Sequence, residues 1–273
     1  MVDGVLIANG RTAEVYDRGD GKILKLFYDW APHEWVKYEF DIGFLLNSSG
    51  VPAPKVYETV NIDGRQGIIY QKVEGKTLLN LIQEKPWKVI GYSRLLARLQ
   101  SEVHMISEKG LVAQNDRFSH AILDSSQILG KRTGIILDYL TGLKGKCALC
   151  HGDLHPDNIL VSNDKSVIID WMNAYFGDPL GDVARTCLMI RSPYVRIDTT
   201  FFKKILILIL QFIILKVYKS EYMKMSKIDN DQIEDFMLPV ASARLREKIP
   251  GEKEWLLKLI DKKLKCINSK GSD

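Results

Sequence analysis

From Cys150 to Asp170 the chain reads CHGDLHPDNILVSNDKSVIID, and this stretch restricts the fold more than any other. Asn158 follows Asp153 by five residues. Ile159-Leu160-Val161 and Ser166-Val167-Ile168-Ile169 are short apolar, β-branched runs. Ser162-Asn163-Asp164-Lys165 between them is a polar turn, so the segment predicts a β-hairpin. Such a hairpin delivers Asp170 back beside Asn158.

These separations are the ones a phosphoryl-transfer site requires. Asp153 and Asn158 have the spacing of the kinase catalytic loop H-R-D-x-x-x-x-N, with Gly152 in the place of its Arg. A phosphoryl group in transfer spreads negative charge over its equatorial oxygens, and the protein supplies mainly positioning and electrostatics. Asn158 and Asp170 are hard oxygen ligands suited to holding Mg²⁺ against the phosphates. Asp153 has the spacing of the base that orients an acceptor hydroxyl and takes its proton; Asp157 is the weaker candidate. Two other readings compete. In one, HGDLHPDN is a polar turn whose histidines cap or pack. In the other, His151, Asp153, His155 and Asp170 form a metal-hydrolase site, which leaves Asn158 without a role.

HGDLHPDNIL, then VIIDW, then GDPLGDVAR resemble the aminoglycoside phosphotransferase superfamily, which also holds choline kinase-like and other small-molecule kinases. The resemblance extends over nearly the full chain. It implies an α+β, protein-kinase-like two-lobed fold, with a small N-terminal antiparallel sheet plus helix and a larger, mainly helical C-terminal lobe. The implied reaction moves the γ-phosphate of ATP or GTP, with Mg²⁺, to a hydroxyl of an aminoglycoside-like molecule, a sugar or an amino alcohol. An atypical protein kinase is disfavoured because no A-P-E follows Asp170. A catalytically idle nucleotide-binding protein on the same fold is the alternative from another class.

The first quarter reads as strands at Val5–Ala8, Ala13–Tyr16 and Ile23–Phe27. By the resemblance, the turn at Gly10, Arg11 and Thr12 covers the phosphates with backbone N–H groups. It has one Gly where the protein-kinase loop G-x-G-x-x-G has three. Lys25 on the third strand matches the Lys that holds the α- and β-phosphates, with Lys22 as the fallback. From Pro32 to Leu46, Trp35, Phe40, Phe44 and Leu45 stand among charges as in an amphipathic helix. Glu39 matches the helix Glu that pairs with the strand Lys, and Glu34 is the alternative. Two further strands, Lys55–Val60 and Gly67–Val73, lead to a hinge where backbone groups around Gln71 to Val73 meet the adenine edge. The lobes are accordingly 1–73, binding nucleotide, and 74–273, carrying the catalytic loop and acceptor site.

In the second lobe, Leu95, Leu96, Leu99, Val103 and Ile106 mark a core helix over Tyr92–Ser107, with His104 as a satisfied core histidine. Ile122–Leu143 predicts one or two helices broken at Gly130 and Gly134. Asp178-Pro179 and Gly181-Asp182 are helix-start chemistry, so Asp182 reads first as an N-cap; by the resemblance it also steadies the catalytic loop. Phe201–Tyr218 is strongly apolar but, between its lysines, short for a bilayer span, and predicts a buried helix. Asp229-Asn230-Asp231 opens another, and Lys253–Leu264 is a last amphipathic helix.

With 273 residues, 46% hydrophobic and 26% charged, the chain has a core of ordinary size. A net charge of +4 is too mild, and too scattered, to argue for nucleic acid. The N-terminus lacks a signal-length apolar run, and the four cysteines fit a reducing compartment. Cys147 and Cys150 read as buried strand residues, and Cys187 and Cys266 as packing residues. The expectation is a cytoplasmic protein with no nucleic-acid or membrane partner; nothing indicates oligomeric state. From Phe176 onward 18 Lys and Arg face 13 Asp and Glu, a net +5. In the superfamily, enzymes for polycationic antibiotics present an acidic acceptor surface, so this half suits a polycation poorly unless Asp229, Asp231, Glu234 and Asp235 form a local acidic wall.

Overall fold

The structure is a computed structural model that describes residues 4–107, 110–143, 145–162, 165–194 and 200–270. In chain order the first elements are β1 (Val5–Asn9), β2 (Ala13–Asp17), β3 (Lys22–Phe27), α1 (His33–Ser49), β4 (Val56–Ile62), β5 (Arg65–Gln71), β6 (Lys76–Thr77) and α2 (Leu78–Glu84). Then come α3 (Val89–Val103), α4 (Gln114–Asp124), α5 (Ser126–Leu129), α6 (Arg132–Gly142), β7 (Ala148–Cys150), β8 (Ile159–Ser162), β9 (Lys165–Ile168) and β10 (Tyr175–Gly177). The last are α7 (Pro179–Ile190), α8 (Phe201–Ser226), α9 (Asn230–Asp235), α10 (Met237–Arg244) and α11 (Lys253–Lys270). Residues 1–81 with 156–174 form one compact unit, and 82–155 with 175–273 a second.

The first unit is built on an antiparallel sheet in the order β1-β2-β3-β5-β4. Side chains alternate across a strand, and β3 uses both faces. Leu24 and Leu26 pack with Ile69 on one face. Phe27 joins Ala13, Ile68 and Val36 of α1 on the other, which places Lys25 on the α1 side by parity. The α1 face differs from the sequence reading: Val36, Glu39, Ile42, Gly43 and Leu46 are buried, while Trp35 and Phe44 are exposed. Gly43 belongs inward because its Cα approaches Val56 so closely that an added Cβ would lie 3.0 Å from the valine Cβ. The expected hairpin forms as β8–β9, with Ile159 opposite Ile168, and β6 adds to its edge. Its turn residues Asn163 and Asp164 lie outside the described residues.

In the second unit, α3 buries Leu96, Leu99 and Val103 at the expected spacing. Gly130 breaks the helices as expected, with φ 59°, but Gly134 lies inside α6. Asp178, not Asp182, caps α7: its side chain accepts from Leu180 N, with Pro179 at the first helical position. Asp229 caps α9 through a reciprocal box with Gln232.

Helix α8 corrects the expectation of burial. It buries Ile214, Tyr218 and Tyr222 and leaves Phe201, Phe202, Leu208, Ile209 and Phe212 exposed. Among the described residues no helix is long and apolar enough to cross a membrane. Cys150 and Cys187 are buried, whereas Cys147 and Cys266 are exposed, contrary to the packing roles expected of them.

Candidate active site

In the first unit, Lys25 Nζ donates to Glu39 Oε1 at 2.7 Å and to Asp170 Oδ1 at 3.1 Å. Burial disfavours the ammonium, but the two carboxylates outweigh it and hold the Lys25 pKa above the ordinary lysine range. Glu39 is buried and Glu34 is exposed, so of the two candidate acids only Glu39 meets the lysine. Lys22 lies over the Tyr57 ring at 5.1 Å, on the opposite side of β3 from Lys25. The Tyr70 hydroxyl donates to the same Glu39 Oε1 at 2.9 Å; burial first, then Glu39, push its phenol well above the usual value.

Asn158 ends a short 3₁₀ turn, Pro156–Asn158, just before β8. Its carbonyl accepts from Ile169 N at 3.0 Å, which brings the residue before Asp170 against it. Asp170 takes a left-handed conformation, φ 64° and ψ 61°, uncommon for a residue with a Cβ. The hairpin therefore returns Asp170 to Asn158 as the sequence implied. Together they offer an amide oxygen and a carboxylate, hard donors that fit Mg²⁺ or Ca²⁺.

Gly10, Arg11 and Thr12 form the β1–β2 turn, closed by Gly10 N donating to Ala13 O at 2.9 Å, while Thr12 O accepts from Tyr28 N at 3.0 Å. Gln71 ends β5 and its N–H donates to Lys55 O at 2.8 Å. Val73 follows in irregular chain before β6.

In the second unit, β7 leads into the loop that carries Asp153. Gly152 has φ 75°, a conformation that disfavours any residue with a Cβ, which gives a local reason for Gly where protein kinases have Arg. Its N–H donates to Asp182 Oδ1 at 2.8 Å, and that of His151 to Asp182 Oδ2 at 3.1 Å. Gln100 Nε2 donates to the same Oδ2 at 2.9 Å, and His104 Nε2 lies 3.1 Å from it. Burial raises the Asp182 carboxyl, but His104 and Gln100 more than reverse this, and its pKa lies below the usual range. Behind this layer Tyr222 OH is 2.6 Å from His104 Nδ1, and the Tyr218 hydroxyl donates to Gln100. His104 is thus a satisfied histidine, as expected. Asp182 ties the loop backbone to the helices, the part the resemblance gave it.

Asp153 N donates to His151 Nδ1 at 3.2 Å, and Asp153 Oδ1 accepts from Arg185 Nη2 at 2.9 Å. Burial pushes the Asp153 carboxyl up, but Arg185, His155 and His151 overcome it and hold the pKa below the ordinary value. Tyr70 and Arg185 escaped the sequence reading. The signals existed: Tyr70 shares a strand face with Ile68, the partner of Lys25, and Arg185 follows Asp182 by three residues in a helix.

Solved structures of several kinases resemble this one. A thermostable mutant of aminoglycoside phosphotransferase APH(4)-Ia, in a ternary complex with AMP-PNP and hygromycin B, is 16% identical, with a TM-score of 0.66 over 96% of this chain and 93% of that one. A putative fructosamine-3-kinase from Haemophilus somnus 129PT is 14% identical, with a TM-score of 0.65 over 95% and 90%. Amicoumacin kinase hAmiN, in complex with AMP-PNP, Ca²⁺ and Ami, is 13% identical, with a TM-score of 0.61 over 96% and 87%. No curated protein matches the sequence. At these identities the likeness establishes the fold, α+β and protein-kinase-like. Residues 3–202, which hold the strand lysine, the Asp153 loop, the hairpin and the Asp182 helix, match the model of the phosphotransferase enzyme family, and the chain belongs to that family.

Proposed function

We propose that the chain transfers the γ-phosphoryl group of ATP or GTP to a hydroxyl of a small molecule. The observation that carries this reading is the cluster of Lys25, Glu39 and Asp170 beside Asn158, on the segment that continues directly from the Asp153 loop. Lys25, oriented by Glu39, would hold the α- and β-phosphates. Backbone N–H groups of Gly10, Arg11 and Thr12 would cover the phosphates, and those around Gln71 and Val73 would meet the base. Asn158 and Asp170 would hold Mg²⁺, which when bound offsets phosphate charge. Asp153, kept ionised by Arg185 and the loop histidines, would orient the acceptor hydroxyl and accept its proton as the new P–O bond forms.

In this reading residues 1–73 bind the nucleotide, and 74–273 carry the catalytic loop and the acceptor site. The acceptor fits a sugar or amino alcohol better than a polycation, because the half of the chain after Tyr175 is net positive and two of the four acids that might have walled its site are engaged. Glu234 pairs with Lys263 at 2.7 Å and Lys219 at 3.4 Å, and Asp229 caps α9. The reading calls for a cytoplasmic enzyme with no nucleic-acid or membrane partner.

The test is incubation with γ-labelled ATP or GTP, Mg²⁺ and separate panels of sugars, amino alcohols and aminoglycosides. Label appearing in a sugar or amino alcohol is the expected result. Label found on protein or on no acceptor would overturn it.

A further inference from the structure

A largely buried ladder of alternating charges runs away from the half-buried Asp153 in the second unit. Arg185 Nη2 donates to Asp153 Oδ1 at 2.9 Å while its Nη1 lies 2.7 Å from Glu247 Oε1. Glu247 Oε2 is 3.1 Å from Arg244 Nη1, and Arg244 meets both oxygens of Glu252, at 2.7 Å and 2.9 Å. The Ser192 hydroxyl donates to Glu252 at the far end. The Arg185 side chain is only 12% exposed, and its Nε has no hydrogen-bond partner among the described residues.

Packing alone explains this arrangement poorly. A buried guanidinium with an orphaned donor is costly, and an apolar side chain of similar volume serves a core as well or better. What the arginine gains is a bridge between two carboxylates with a planar fork of fixed shape. A base must hold its carboxylate in one orientation to be effective, and small displacements are expensive in rate.

We propose that Arg185 is a positioning residue for the general base, fixing the Asp153 carboxylate through Oδ1 while Glu247, braced by Arg244 and Glu252, fixes the guanidinium from behind. This rests on the reading of Asp153 as the base. Among the described residues, the groups that hold the Asp153 carboxyl low include Arg185 from α7 and His151 and His155 from its own loop.

The experiment uses the full chain with Mg²⁺ and ATP, with water as the phosphoryl acceptor, and measures ADP release for wild type, Arg185→Met, Arg185→Lys, Glu247→Gln and Asp153→Asn. Thermal unfolding is recorded for each. Arg185→Met is expected to lower kcat about 100-fold with the KM for ATP nearly constant, the signature of a group acting in the transition state. Arg185→Lys recovers part of the loss, since an ammonium cannot bridge both carboxylates in the same plane, and Glu247→Gln gives a smaller fall. In an Asp153→Asn background, Arg185→Met adds nothing further. Without the guanidinium, the acid limb of the rate profile moves to higher pH.

Wild-type kcat in Arg185→Met overturns the proposal, as does an equal loss in the Asp153→Asn background, which marks a purely structural role. If the Met variant does not fold, wild-type rates in both Arg185→Lys and Glu247→Gln overturn it instead. Unchanged turnover in Asp153→Asn removes the base reading and this proposal together, whereas a damaged Asp153→Asn beside silent Arg185 and Glu247 variants removes the positioning role alone.

Discussion

Lys25 and Glu39 stand 14 residues apart in sequence, and their side chains meet at 2.7 Å with the glutamate almost fully buried. Strand parity puts Lys25 on the sheet face that α1 covers, and the inward face of α1 puts Glu39 opposite it. The tyrosine hydroxyl of Tyr70 closes the group from the neighbouring strand. If this group holds phosphates, Lys25→Ala lowers kcat/KM for ATP about 10- to 100-fold, the worth of one charge-assisted hydrogen bond. Tyr70→Phe, which removes a bond to Glu39 and none to nucleotide, has the smaller effect. Initial rates at varied ATP measure both.

Asp182 accepts from two loop amides, Gln100 and His104 at once. Asp182→Asn turns an amide nitrogen toward donors that need an acceptor, so unfolding in urea is expected to show a loss of about 3 to 5 kcal/mol. The native carboxyl titrates below its unfolded value. Its contribution is therefore present above about pH 4 and is lost as pH falls through the lower native value. The Asn variant lacks this part of the acid-side decline, which unfolding curves at a series of acidic pH values measure.

Two glycines make opposite predictions. Gly152 needs φ 75°, so Gly152→Ala costs about 1 to 2 kcal/mol and disturbs the loop that carries Asp153. Gly134 lies within α6 with open space around an added Cβ, so Gly134→Ala stabilises by about 0.5 to 1 kcal/mol. Thermal melts of the two variants should shift in opposite directions.

The Asp153 loop and its hairpin were legible because short apolar runs around a polar turn have one economical arrangement, and the fold followed from the loop by resemblance. Strand parity is legible too, and it puts Lys25 on the α1 face of β3 and Lys22 on the other. The inward face of α1 was misread because bulky Trp35 and Phe44 outweighed Gly43 and Glu39, which pack inward for close approach and for an ion pair. The cap of α7 cannot be told from the sequence pattern, because both Asp178 and Asp182 carry helix-start chemistry; the loop contact of Asp182 came from the resemblance, and only the three-dimensional surroundings show that Asp178 is the cap. Helix α8 reads as buried by composition, but burial depends on neighbours that a single sequence does not display. The ladder from Arg185 to Ser192 joins α7, the segment after it and the turn after α10, and no local pattern joins those three.

The most direct measurement is the rate of nucleoside diphosphate release from Mg²⁺-ATP with a sugar or amino-alcohol acceptor, compared between wild type and Asp153→Ala. The account predicts acceptor-dependent release that falls about 100-fold or more in the variant, with nucleotide affinity retained. Nucleotide binding without acceptor-dependent release in the wild type, or equal release in the two proteins, would contradict it.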